Sequence, residues 1–157
     1  MKNRIPMHDN WITPSWLYAE LDAEFNFNFD PCPYSEGEPL FDGLKVDWGS
    51  SSYVNPPYSR KLKEGFINKG LEEAKKGKLV VLLLPVSTST KIFHEVILPN
   101  ATEIRFFKGR VRFEGYNGQG VLVTTKTGMH DSMLVVFDRS RKNANLINVE
   151  KNYARFN

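Results

Sequence analysis

The tetrapeptide Asn55-Pro56-Pro57-Tyr58 combines groups that could activate a planar amine. Such an amine, like the exocyclic amine of adenine or cytosine, is a poor nucleophile because its lone pair is conjugated into the ring. The side-chain carbonyl of Asn55 and the backbone carbonyl of Pro56, whose direction the two proline rings restrict, could accept its two hydrogens. These bonds would favour a pyramidal nitrogen and the positive charge that develops during attack on a sulfonium methyl group. The tetrapeptide therefore predicts methyl transfer to a planar amine.

Tyr58 offers an aromatic face on which a base rotated out of its duplex could stack. The alternative is that the tetrapeptide is only a rigid turn or a polyproline-type recognition segment. A polar-Pro-Pro-aromatic tetrapeptide arises by chance in about one in a hundred chains of this length. Its position between a predicted strand and a predicted helix favours the catalytic interpretation. The predicted catalytic residues are Asn55, Pro56, Pro57 and Tyr58.

Two predicted elements precede the tetrapeptide. Thr13-Pro14 can open a helix, since threonine supplies a side-chain cap and proline is preorganised for the first helical position. The predicted inward side chains of this helix are Trp16, Leu17 and Leu21. Phenylalanine alternates with asparagine over 25–29, which predicts a short strand ending at Asp30-Pro31. The Pro-, Gly- and Ser-rich stretch 32–43 predicts a loop.

The elements after the tetrapeptide alternate between helix and strand. The apolar residues Leu62, Phe66, Leu71 and Ala74 recur at helical spacing, which predicts a helix over 59–76 that ends at Gly77. The apolar run 79–85 predicts a strand buried on both faces, and 87–97 predicts a short helix stopped by Pro99. Further strands are predicted at 103–107, 111–113 and 133–137, with a Gly-rich loop over 115–120.

This order of elements predicts an α/β fold with an open sheet and an antiparallel strand pair near the C-terminus. Ligands bind beyond the carboxyl ends of the strands in such sheets, so Asp30 and Asn55 could converge on one cleft. The length of 157 residues fits a single domain, with a core of about 11–138 and a polar C-terminal segment 139–157. The longest apolar run is too short to cross a membrane, and the N-terminus lacks the apolar stretch of a secretory signal. We therefore expect a cytoplasmic protein.

Several segments resemble one family when they are taken in order. The opening Trp11-Ile12-Thr13-Pro14 is similar to a Trp-x-Thr-Pro motif, and Phe-Asp-Pro-Cys at 29–32 is similar to a cofactor motif at the end of a first strand. Other matching segments lie at 42–44, 47–48, 82–85, 93–94 and 109–113. The tetrapeptide resembles motif IV of the amino-methyltransferases. From Trp11 to Phe137 the chain resembles the small phage-type DNA N-6-adenine methyltransferases of the Dam family.

The resemblance implies a methyltransferase that uses S-adenosyl-L-methionine to methylate N6 of adenine in double-stranded DNA, in a bacterial host cell and encoded by a phage or prophage. It implies an abbreviated Rossmann-like S-adenosylmethionine-dependent methyltransferase fold with a mostly parallel sheet, because the segment between Asp30 and Asp47 is too short for a full strand-helix-strand. The implied cofactor-binding residues are Trp11, Thr13, Pro14, Asp30, Pro31, Cys32, Asp47 and Trp48.

The distribution of basic residues indicates where DNA could bind, although the net charge of +3 is mild. The predicted DNA-binding residues are Arg60, Lys61, Lys63, Arg105, Lys108, Arg110 and Arg112. The alternatives are a solvated helix face for the first group and a hairpin with exposed charges for the second. No separate target-recognition domain fits in this length. A short site would therefore be read by the 105–112 region, by loops, or by a partner subunit.

Other chemistry is less well supported by the sequence. Pro31-Cys32 invites comparison with the nucleophile of C5-cytosine methyltransferases, but direct transfer to an amine needs no thiolate, so we expect Cys32 to pack beside the cofactor. The three histidines, His8, His94 and His130, are not spaced as ligands, and no metal site is expected. Open alternatives are N4-cytosine methylation, methylation of a glutamine side-chain amide, and a non-catalytic DNA- or cofactor-binding module.

Overall fold

A five-stranded mixed sheet lies at the centre of the fold in the computed structural model, which describes residues 11–35, 37–116, 119, 121–124, 130–141 and 146–147. Its strands in chain order are β1 (Ser51–Val54), β2 (Leu79–Pro85), β3 (Glu103–Phe106), β6 (Ser132–Asp138) and β7 (Leu146–Ile147), while β4 (Glu114–Tyr116) and β5 (Leu122–Thr124) form a separate hairpin. The helical elements are α1 (Ser15–Phe25), α2 (Arg60–Lys75), a π-helical segment (Phe93–Ile97) and α3 (Leu98–Asn100).

The strand order in the sheet is β1-β2-β6-β3-β7. β1 pairs with β2 and β3 pairs with β7 in parallel, whereas β6 lies between β2 and β3 and runs antiparallel to both. The prediction of an α/β fold with one open sheet is confirmed at this level. The antiparallel pair near the C-terminus is present as the β4–β5 hairpin, but it stands outside the main sheet, and the antiparallel strand of the main sheet is internal.

The alternating side chains of β2 supply both hydrophobic cores. Val80, Leu82 and Leu84 pack with α2 and the π-helical segment on one face of the sheet. Val81 and Leu83 pack with α1 on the other face. Because each face is covered by helix, β2 is buried from Val80 to Pro85, as predicted, and only Leu79 is half-buried.

Helix α1 begins and ends differently from the prediction. Pro14 occupies the N-cap position, and the Thr13 hydroxyl bonds to the Tyr53 hydroxyl instead of capping the helix. At the other end, Asn26 adopts the left-handed conformation with φ of 51° and donates its N–H to the Asp22 carbonyl. Asparagine tolerates this conformation, so it ends the helix. The strand predicted over 25–29 is therefore wrong, except that Phe29 forms a single parallel bridge with Ser52.

The later predictions are mostly confirmed with shifted bounds. Helix α2 agrees with the predicted 59–76 and is followed by Gly77 at φ 91°, although Leu62 is 42% exposed instead of buried. Pro99 is predicted to stop a helix but lies inside α3. The π-helical segment directly before α3 has a wider turn, which accommodates both the missing proline N–H and the bulk of its ring. The strand predicted at 111–113 begins at Glu114 instead. Val111 and Phe113 do face the core, but their segment pairs with no strand within the described residues.

Some expectations concern residues that the structure does not describe. These are His8, most of the C-terminal segment 139–157, and positions 117, 118 and 120 of the predicted Gly-rich loop. No helix in the described part of the chain has the length and apolar character needed to cross a bilayer.

Candidate active site

The tetrapeptide Asn55 to Tyr58 leaves the carboxyl end of β1 and forms the irregular turn that its two prolines predict. Asn55 is buried, with 7% of its surface exposed. Its side-chain nitrogen Nδ2 donates to the Trp11 carbonyl at 2.6 Å, and its own backbone carbonyl accepts from the Cys32 thiol at 3.3 Å. Two segments that are distant in sequence therefore hold Asn55 from two sides.

A cavity of about 250 Å³ opens beside Asn55, and we call it the polar cavity. Its lining residues are Trp11, Ile12, Thr13, Ser15, Tyr18, Asp30, Cys32, Tyr34, Tyr53 and Asn55. Asp30 and Asn55 meet here because Phe29 bridges β1 in parallel, so that both residues follow strand ends at the same edge of the sheet. The structure thus brings together the two polar groups that sequence spacing predicted would converge.

Asp30 is the carboxyl group that lines this cavity, and its pKa is shifted. Burial raises its pKa to about 6, and the Cys32 backbone N–H, which donates to Oδ1 at 2.9 Å, opposes this effect. No salt bridge to Asp30 exists within the described residues. A carboxylate that is partly desolvated and has no cationic partner is suited to receive a positively charged ligand group.

A second cavity of about 430 Å³ lies on the α2 side of the sheet, and we call it the apolar cavity. Its lining residues are Pro31, Cys32, Pro33, Ser35, Gly37, Pro39, Leu40, Phe41, Asp42, Gly43, Leu44, Pro57, Leu62 and Phe66. Cys32 lines both cavities. The two cavities together therefore fit a ligand with a flat apolar end and a cationic polar end that meet near Cys32.

Gly43 allows the loop that closes the apolar cavity to approach the chain at Pro31. A Cβ atom at position 43 would lie 1.8 Å from the Pro31 carbonyl oxygen, so only glycine fits. The Gly43 carbonyl also accepts from the Trp48 indole nitrogen at 2.7 Å. These contacts explain why Asp42-Gly43-Leu44 lies at the cavity wall.

Tyr58 lies on the α1 side of the turn. Its ring meets the rings of Phe113 and His130 edge to face, with centroids 5.9 Å and 6.4 Å away. Burial raises the pKa of its hydroxyl, and this oxygen has no hydrogen-bond partner among the residues that the structure describes. Tyr58 therefore remains a neutral aromatic wall next to Asn55.

Three of the predicted cofactor residues line neither cavity: Pro14, Asp47 and Trp48. Asp47 forms an ion pair with Lys76 at 3.0 Å, and this contact lowers its pKa. Trp48 is 3% exposed and packs on Phe66 in the core. The other five predicted cofactor residues, Trp11, Thr13, Asp30, Pro31 and Cys32, line one or both cavities.

Arg105 does not agree with its predicted DNA role. It is 3% exposed, forms salt bridges with Glu24 at 2.8 Å and Glu103 at 2.6 Å, and lies over the Phe25 ring. Its charge is thus neutralised inside the fold. A buried guanidinium held in this way cannot reach a phosphate.

The other six predicted DNA-binding residues are exposed or half-buried. Lys108, Arg110 and Arg112 are exposed on the loop between β3 and β4. Arg112 directly precedes Phe113, whose ring meets Tyr58. Arg110 contacts Asp131 at 3.1 Å. Arg60 and Lys61 are exposed in the first turn of α2, where Lys63 is half-buried and Arg60 contacts Glu64 at 3.3 Å. Both groups flank the tetrapeptide.

Sequence reasoning did not identify several lining residues. Tyr53 lies on β1 two positions before Asn55, which directly follows the strand, so continued alternation could have placed both side chains on one face. Tyr18 lies on α1, and its place at the polar cavity can be predicted only when the position of that helix in the fold is known. Leu40 and Phe41 lie in a loop without a periodic pattern, and no local signal predicts their place at the apolar cavity.

Comparison with known proteins gives one match. A family model described as DNA N-6-adenine-methyltransferase (Dam) matches residues 2–155, nearly the whole chain. No curated protein and no solved structure gives a significant match.

Proposed function

The chain belongs to the DNA N-6-adenine-methyltransferase (Dam) family, a family of enzymes, and we propose that it transfers a methyl group from S-adenosylmethionine to N6 of adenine in duplex DNA. One observation carries this proposal. The side-chain nitrogen Nδ2 of Asn55 donates to the Trp11 carbonyl, while its Oδ1 accepts no hydrogen bond from any described residue. Asn55 lines the polar cavity, which shares Cys32 with the apolar cavity. Oδ1 is thus available as an acceptor for an amine hydrogen.

The two cavities fit the chemistry of the methyl donor. The donor has an ammonium and a sulfonium charge at its methionine end and a flat adenine at the other. Asp30 would face the ammonium in the polar cavity, and Leu44 and Phe66 would contact the adenine in the apolar cavity. When bound, S-adenosylmethionine supplies an electrophilic methyl group.

In the proposed reaction Asn55 Oδ1 and the Pro56 carbonyl accept the two N6 hydrogens of the target adenine. These bonds concentrate the lone pair on N6 and stabilise the positive charge that develops there. Neither acceptor takes a proton early, and the hydrogen lost after methyl transfer goes to water. Cys32 keeps its thiol proton, because burial and the nearby Asp30 charge hold its pKa well above the usual range.

The target base would leave the duplex to reach these acceptors, since N6 inside a base pair cannot meet a donor held in the protein. Tyr58 would contact the extruded base. Its neighbours Phe113 and His130 fix the ring through edge-to-face contacts, which leaves a rigid surface beside Asn55.

We further propose that the fold is an abbreviated Rossmann-like methyltransferase fold. Four of the five sheet strands share one direction, and helices cover both faces. Beyond β1, only Phe29 continues the pairing within the described residues. The cofactor side would then be built mainly from the loop 37–44 instead of further strands.

The loop that carries Lys108 and Arg112 is our candidate for the main phosphate contact. Replacing both with Ala should weaken DNA binding and lower the slope of log K against log salt by about 2, since each lost phosphate contact removes about one unit. Fluorescence anisotropy with a duplex oligonucleotide at several salt concentrations measures this slope.

A matched control removes two positive charges at the other end of the strands, far from the tetrapeptide, where α2 and β6 end. Lys75 and Arg139 are both exposed there. The Lys75→Ala/Arg139→Ala variant should keep the wild-type slope. Equal slopes for the Lys108→Ala/Arg112→Ala variant and the wild type would show that DNA binds elsewhere.

The proposed function is tested by incubating the protein with labelled S-adenosylmethionine and unmethylated duplex DNA, then digesting the DNA to nucleosides. We expect the label in N6-methyladenine. Label in N4-methylcytosine, or on a glutamine-containing protein instead of DNA, would assign a different amine. Cofactor and DNA binding without any transfer would identify a non-catalytic module.

A further inference from the structure

The Asn55 side chain can serve as an acceptor in only one of its two amide orientations. Its carboxamide carries an acceptor, Oδ1, and a donor, Nδ2, that have nearly the same shape. If the amide were turned by 180°, the Nδ2 hydrogens would face the amine hydrogens of the substrate and repel them. The site therefore needs a group that distinguishes the two orientations before substrate binds.

The Trp11 backbone carbonyl has the properties of this group. It lies 2.6 Å from Asn55 Nδ2, and a carbonyl oxygen can only accept, so the opposite orientation would place two acceptor oxygens in contact. A backbone carbonyl also cannot rotate to become a donor, as a hydroxyl could. Because Asn55 is only 7% exposed, water does not easily replace this bond.

The β4–β5 hairpin holds Trp11 in place. Ile12 and Glu114 exchange two backbone hydrogen bonds of 2.8 and 2.9 Å, which fix the chain immediately after the Trp11 carbonyl. The Trp11 indole lies on Gly115, where a Cβ atom would come within 2.7 Å of Cζ3 and 2.9 Å of Cε3. Any side chain at position 115 must therefore displace the indole.

We propose that Trp11 is a positioning residue, which sets the amide orientation of Asn55 through its carbonyl and is itself seated by Gly115 and the Ile12–Glu114 bridge. This inference rests on the proposed function, because the orientation matters only if Oδ1 receives an amine hydrogen. It also explains why position 55 carries Asn and not Asp. A carboxylate there would have only acceptor oxygens to present to the Trp11 carbonyl.

The first test is Gly115→Ala. Displacement of the indole should lower kcat by about 100-fold, as expected for a reacting group misplaced by about 1 Å. Because Trp11 also lines the polar cavity, kcat should be measured at saturating S-adenosylmethionine, and the Kd for DNA should change little. In a Trp11→Phe background, which lacks the ring atoms that meet position 115, the same substitution should cause a clearly smaller loss.

The second test is Asn55→Asp, which leaves the hairpin intact. At alkaline pH the carboxylate repels the Trp11 carbonyl, so we expect no measurable turnover. At lower pH the protonated carboxyl can donate to that carbonyl with one oxygen and accept an amine hydrogen with the other. At saturating donor the rate should therefore rise as pH falls, whereas Asn55→Ala should stay inactive throughout. An Asn55→Asp enzyme as active as the wild type from pH 6 to 9 would overturn the inference.

A measurement without substrate separates this inference from the proposed function. In the nuclear magnetic resonance spectrum of the free protein, one Nδ2 hydrogen of Asn55 should be protected from exchange with solvent, and Gly115→Ala should remove the protection. Absence of protection in the wild type would overturn the inference whatever the protein methylates. Protection together with no methyl transfer to DNA would instead contradict the proposed function.

Discussion

The Asn55→Ala variant should lose methyl transfer almost completely, with kcat reduced by about 1,000-fold or more, while its affinity for S-adenosylmethionine stays nearly unchanged. The expected loss is large because the side-chain acceptor acts on charge that develops in the transition state, inside a site shielded from water. Donor binding depends mainly on the other residues that line the two cavities, which the substitution leaves in place. Single-turnover kinetics and calorimetric titration with the donor measure the two quantities separately.

The matched control for Asn55→Ala is Asn68→Ala, because Asn68 is exposed on α2. It should transfer methyl groups at the wild-type rate. Removing the Asn55 amide also leaves the part-buried Trp11 carbonyl without this partner, which costs about 1–3 kcal/mol of stability. The unfolding temperature of both variants should therefore be recorded. A folded Asn55→Ala protein that turns over normally would remove Asn55 from the reaction.

The Asp30→Asn variant should fail to bind S-adenosylmethionine and should nevertheless be more stable than the wild type at neutral pH. Burial raises the pKa of Asp30 to about 6, above the value of an unfolded chain, so the wild type is destabilised as pH rises through about 4 to 6 and remains so at higher pH. The asparagine carries no such cost. Since one pKa unit corresponds to about 1.4 kcal/mol, the gain at pH 7 to 8 is at most about 3 kcal/mol.

The same titration gives the donor affinity a pH dependence. An ammonium group beside Asp30 favours the carboxylate, so the wild-type Kd should rise by up to tenfold per unit as pH falls below about 6. Asp47→Asn is the matched control, because Asp47 pairs with Lys76 outside both cavities. If Asp47→Asn lost donor binding and Asp30→Asn kept it, the cavity assignment would be reversed.

The sequence predicted those parts of the fold that local patterns determine. The turn at Asn55 follows from two consecutive prolines, and α2 follows from its apolar spacing and from Gly77, which lies at φ 91° just after the helix. The phenylalanines at 25–29 fit a strand by their alternation, but Phe25 belongs to α1 because Asn26 accepts the left-handed conformation. Alternation alone could not distinguish a strand over 25–29 from the end of a helix followed by a loop, since the phenylalanine rings pack against the core in either case.

The sequence could not predict features that depend on distant partners. Arg105 looks like a free cation until Glu24, which precedes it by 81 positions, meets it across the fold. The insertion of β6 between β2 and β3 is likewise non-local. The Trp11 carbonyl is invisible in a sequence, because every residue carries one. Its distance from Asn55 Nδ2 is what gives it a role.

Methylation of adenine by Asn55 is tested most directly in a single-turnover experiment with enzyme in excess over an unmethylated DNA duplex and labelled S-adenosylmethionine, with products separated as nucleosides. We expect the wild type to form labelled N6-methyladenine and Asn55→Ala, saturated with the same donor, to form none. Equal formation of N6-methyladenine by the two proteins, or label only in another nucleoside, would contradict this expectation.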